Sequence, residues 1–124
     1  MEDQLESLSK TLLDQLEKIR IQFEKSKSSG QESDFYSEVK PFADLVKKTC
    51  DDWLEIATKW IQTEDPKFIN KKQIETTYEN IEKIGIQAFY PNTSRKHFLS
   101  SFQSSQFVLQ SILLYLENNI KRKV

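Results

Sequence analysis

Glycine and proline are scarce, with two and three in 124 residues. An all-β domain needs turn residues roughly every 8–12 positions and would carry more of both. Their scarcity predicts long helices with few breaks. Cys50 is the single cysteine, so no intramolecular disulfide can form and nothing points to an oxidising compartment. No run approaches the roughly 18 unbroken apolar residues of a membrane span. The start, Met1-Glu2-Asp3-Gln4, is acidic where a signal peptide would be basic and then apolar. An excess of one charge is also missing: 18 Lys and Arg stand against 19 Asp and Glu, a formal net charge of −1. A dedicated nucleic-acid binder usually carries a basic excess. An acidic disordered chain would not be 37% hydrophobic. The expectation is one cytoplasmic domain over residues 1–124, without a membrane or nucleic-acid partner.

Four amphipathic segments fill the chain. Leu5, Leu8, Leu12, Leu16, Ile19 and Phe23 recur at steps of three and four, which places them on one helical stripe over about 2–26. The apolar-free run from Ser26 to Ser33 reads as a loop. A second stripe, Phe35, Val39, Phe42, Val46, Cys50, Trp53, Ala57 and Trp60, predicts a helix over about 34–64. Pro41 lies inside it, so a kink or a restart is expected there. Asn70 and Gln73 form a capping-box pair, with Ile69 and Ile74 at the staple positions, and open a third helix over about 71–90. Gly85 sits in its apolar stripe and reads as room for a bulky neighbour near Trp53. The fourth helix, about 94–121, carries Phe98, Phe102, Leu109, Ile112, Leu116 and Ile120 on one face, with Lys121, Arg122 and Lys123 at its end. Short connections make neighbours antiparallel. The fold class is all-α, a four-helix up-and-down antiparallel bundle.

A pattern runs through the C-terminal half: Pro66-Lys67-Phe68-Ile69, Lys71, Gln73-Ile74-Glu75, Asn80, Gln87-Ala88-Phe89, Arg95-Lys96 and Phe98, with Val39-Lys40-Pro41 and two tryptophans upstream. It resembles the YppE-like family of small proteins from Gram-positive bacteria, whose function is unknown. The resemblance covers about residues 35–116, and its most specific part is 66–98. It implies a four-helix up-and-down bundle and no activity, cofactor or catalytic residue.

The residues themselves offer little chemistry. A di-iron bundle needs Glu-x-x-His on two helices, and the chain has one histidine, His97, without a Glu three residues before it. One Cys and one His cannot make a structural zinc site. Asp51, Asp52, Glu55, Glu79 and Glu82 could form a carboxylate site but read more simply as a solvated face. Cys50 lies on an apolar stripe, as packing rather than as a nucleophile. The two glycines, 55 residues apart, write no phosphate loop. Lys47-Lys48, Lys71-Lys72, Arg95-Lys96 and Lys121-Arg122-Lys123 are short basic clusters with acidic residues close to most of them. No enzyme and no cofactor is expected.

Two features remain. Gln73, Thr77, Asn80 and Gln87 fall along one flank of the third helix. They form either a half-exposed boundary strip or, with Trp53, Trp60 or Tyr78, the lining of a small-ligand pocket. Second, the 19 residues from Phe98 to Leu116 carry no charge in a chain that is 30% charged. Phe107 and Leu114 lie one heptad apart on the side opposite the core stripe, and Val108 and Tyr115 make another such pair. Part of this helix is expected to be covered by another molecule, a homodimer mate or an unknown protein partner, unless the first helix and the 26–33 loop wrap it. A non-catalytic interaction or adaptor module is the leading reading, and a ligand-binding bundle with an amide-lined pocket is the alternative.

Overall fold

The computed structural model describes the backbone of residues 1–123 and the side chains of residues 1–119. The expected side chains of Ile120, Lys121, Arg122 and Lys123 therefore lie outside the described residues. Four α-helices follow one another: α1 (Glu2–Ser29), α2 (Lys40–Glu64), α3 (Lys71–Gln87) and α4 (Arg95–Lys123). There is no strand among the described residues.

Each boundary has a local cause. α1 runs three residues past its expected end, because Gly30 takes the left-handed conformation at φ 66° and its N–H closes on the Ser26 carbonyl. The segment before Pro41 is a single wide turn, Phe35–Val39, with π-helical bonding. Val39 N–H reaches back to the Asp34 carbonyl and Lys40 N–H to that of Phe35. Proline has no N–H and crowds the carbonyl four residues before it. The wide turn gives the ring room, and α2 restarts with Pro41 in its first turn. Asp34 and Glu38 cap this turn reciprocally, through Ser37 N–H to Asp34 and Asp34 N–H to Glu38. The capping box of α3 is present: Gln73 N–H donates to Asn70 Oδ1 and Asn70 N–H to Gln73 Oε1, both at 2.9 Å. α3 stops at Gln87, short of the expected Tyr90, where Thr93 Oγ1 donates to the Gln87 carbonyl at 2.6 Å.

Pairs far apart in sequence fix the directions of the helices. Trp53 Nε1 donates to Ser9 Oγ and Gln15 Nε2 to Thr49 Oγ1, both at 3.0 Å, so α1 and α2 are antiparallel. Phe42 meets Phe89 edge-on while Lys47 reaches Glu82, so α2 and α3 are antiparallel. Phe23 stacks on Phe98 at 4.0 Å, and Asn119 donates to Glu2 at the other end, so α1 and α4 are antiparallel. The helices form a ring in chain order, and α1 also touches α3 across the middle.

The core holds most of the expected apolar stripes, with Trp53 and Trp60 fully enclosed; Phe35, at the head of the second stripe, is instead 48% exposed, and Phe42 and Tyr78 are only partly buried. The α1 stripe needs one correction. Leu8 is only partly buried, and Ser9 takes its place inside. The buried line is Leu5, Ser9, Leu12, Leu16, Ile19, Phe23 and Ser26, a strict alternation of four and three. Ser26 Oγ donates to the Ala88 carbonyl at 2.7 Å, which ties the last turn of α1 to the end of α3. Gly85 also differs from expectation. Its nearest side chains are Val46 of α2 and Ile19 of α1, not Trp53. α1 reaches Gly85 because it touches α3 across the middle of the ring.

A Cβ at Gly85 would sit 3.6 Å from Val46 Cγ1 and 3.7 Å from Ile19 Cδ1, ordinary contact distances. Gly85→Ala should therefore raise the melting temperature, because alanine gains about 1 kcal/mol in a helix interior. Gly85→Leu should lower it by overpacking; thermal denaturation followed by circular dichroism checks both. Ser9→Ala strands the indole N–H of Trp53 and should cost about 1–3 kcal/mol. Ser105→Ala should cost less, since the buried Ser105 hydroxyl has no partner among the described residues; urea titration of the two variants checks the order.

Candidate interaction surface

α4 shows most clearly where this fold leaves a surface open. Phe98, Leu109, Ile112 and Leu116 point into the core, and Arg95 pairs with Glu24 on the α1 side. The side facing away from the bundle carries Ser100, Gln103, Ser104, Phe107, Gln110 and Leu114, all exposed. Phe107 is 66% exposed and Leu114 59%. Seven residues apart, they occupy nearly the same angle on the helix. The charge-free stretch thus has two large apolar side chains in solvent within a field of serine and glutamine. The other two residues of the expected contact surface are placed differently. Val108 is buried in the core, 6% exposed, and Tyr115 is half-buried with its ring edge-on to Trp60 at 5.5 Å. Much of the apolar girth of α4 is therefore covered by its own chain.

The expected pocket residues have different surroundings. Trp53 and Trp60 are enclosed in the core, the former committed to Ser9. Thr77 is buried. Gln73 serves its capping box, and Asn80 and Gln87 are half-buried. Tyr78 and Glu82 turn toward α2, so Gln73, Asn80 and Gln87, seven residues apart on the other side of the core stripe, turn toward α4. Two shallow surface depressions are present, and Gln87 is the one expected pocket residue that lines either of them. One, between α1 and α2, is floored by Leu8 and Ile56 and rimmed by Asp3, Asp52, Glu55 and Lys59. The other, at the start of α4, includes Glu32, Gln87, Tyr90, Asn92 and His97.

Reactive groups are held in ordinary roles. Burial pushes the Cys50 thiol up to about 12, so it stays protonated. His97 is exposed in the first turn of α4, its backbone N–H on Ser94 Oγ. Among the described residues no three His, Cys, Asp or Glu side chains come together as metal ligands would. Several basic positions are engaged with acids: Lys48 with Asp52, Lys71 with Glu75, and Arg95 bidentate with Glu24 at 2.6 and 3.2 Å. No described helix is long and apolar enough to cross a membrane.

The densest polar cluster joins α2 to α3. Tyr78 donates its hydroxyl to Asp51, and Lys47 reaches Tyr78 at 3.3 Å and Glu82 at 3.2 Å. The hydrogen bond to Asp51 is the main cause that pushes the Tyr78 phenol up to about 12, with burial adding to it. The same bond, helped by Lys47, lowers the Asp51 carboxyl. From sequence alone these carboxylates read as a solvated face or a carboxylate site; their part in joining the two helices depends on the α2–α3 register.

The fold and this surface can now be set beside other proteins. The family described as "Bacterial domain of unknown function (DUF1798)" matches residues 9–116. The chain belongs to this family. The uncharacterised protein YppE of Bacillus subtilis is 25% identical over 112 residues, spanning 85% of this chain and 91% of that one. A Listeria innocua protein of unknown function has the same fold, with a TM-score of 0.92, 29% identity, and coverage of 97% and 96% of the two chains. The crystal structure of YppE gives 0.91 at 21% identity, covering 98% of each chain. A DUF1798 domain from Staphylococcus aureus gives 0.83 at 27%, covering 90% of this chain and 95% of that one. The expected family and the all-α bundle are both found. The family carries no assigned activity.

The Tyr78 cluster predicts a pH dependence. The folded phenol ionises at about 12 against an ordinary value of 10. Its stabilising contribution is whole below about pH 10 and is lost as pH rises through about 12. Asp51 works in the opposite sense: its contribution is present above about pH 4 and is lost as pH falls through the lowered value. The melting-temperature advantage of wild type over Tyr78→Phe should therefore shrink between about pH 10 and 12.

Proposed function

We propose that this member of the family is a non-catalytic interaction module of the bacterial cytoplasm that engages another protein through the outward face of α4. The carrying observation is the pair Phe107 and Leu114, both mostly exposed and one heptad apart in an uncharged field. Large apolar side chains at the centre of a polar rim are the usual energetic core of a protein interface. A charged residue brought against a partner must lose water or find a counter-ion, and this face has none to lose between Phe98 and Leu116. Other exposed apolar residues have charge nearby: Ile21 and Leu45 have Arg20 and Asp44 beside them, and Ile86 has Lys83 three residues before it. The non-catalytic part of the reading is supported by Cys50, held as a buried thiol.

Capture from native lysate tests the reading. Tagged wild type should retain a defined protein, either foreign or an untagged copy, that Phe107→Glu and Leu114→Glu lose while their helical spectra and melting temperatures stay unchanged. Equal retention by wild type and both variants would exclude this face.

A further inference from the structure

We draw no further inference here: the strongest candidate, the surface patch at the tip of the α2–α3 loop where Phe68 stands 83% exposed between the buried Pro66 and Ile69, is an unpartnered apolar side chain, and nothing in the structure shows what covers it.

Discussion

The hydrogen bond from the Trp53 indole to Ser9 is the constraint on which the other contacts depend. An indole N–H removed from water without an acceptor gives up part of the stabilisation of burial; that of Trp53 has Ser9, whereas that of Trp60 has no partner among the described residues. By choosing Ser9, Trp53 sets the register of α1 against α2. Gln15 then meets Thr49 six residues further along α1. The same register turns Ile19 toward Gly85 and Phe23 toward Phe98, and brings Ser26 to the end of α3. A one-residue slip of α1 would turn its buried line by about 100° and lose all of these contacts together.

What could be read in the sequence was the local part. The stripes of α2, α3 and α4 stand out because most of their buried positions are apolar. The Asn70–Gln73 box stands out because its signal is complete within four residues. Hidden features were those decided by a distant partner. Ser9 and Ser26 occupy core positions that polarity disguises, although the strict four-three alternation from Leu5 passes through both. The neighbours of Gly85 required knowing that α1 reaches α3. The amide flank of α3 was visible, but whether it lined a cavity or faced a helix depended on packing; it turns toward α4, and the tryptophans meant to complete a pocket are enclosed elsewhere. On α4 the uncharged stretch was plain, and the structure divided it: Val108 goes to the core, Tyr115 packs against Trp60, and Phe107 and Leu114 stay outside.

The charge balance of the chain takes on meaning in this light. Lysines and carboxylates four residues apart fasten the outer faces of α1, α2 and α3, as in Lys10–Glu6, Lys40–Asp44 and Lys71–Glu75. Exposed pairs of this kind add little stability each. They keep those faces well hydrated and poor at docking. The long central part of α4 has no such pairs, so the contrast between it and the other three helices comes from where charge is placed rather than how much there is.

Gly85 has a consequence for the shape of the whole barrel of helices. With no side chain at that point, α1 and α3 close on each other, and the cross-section becomes a rhombus whose short diagonal joins them. α2 and α4 are left at the ends of the long diagonal. The gap between them is filled by the bulkiest groups available: Trp53 and Trp60 from one corner, and from the other Tyr115, which reaches in to touch Trp60. Side-chain volume is thus allotted by diagonal, the smallest residue on the short one and the indoles on the long one. A methyl at Gly85 still fits beside Val46 and Ile19, whereas a leucine there would push the helices apart.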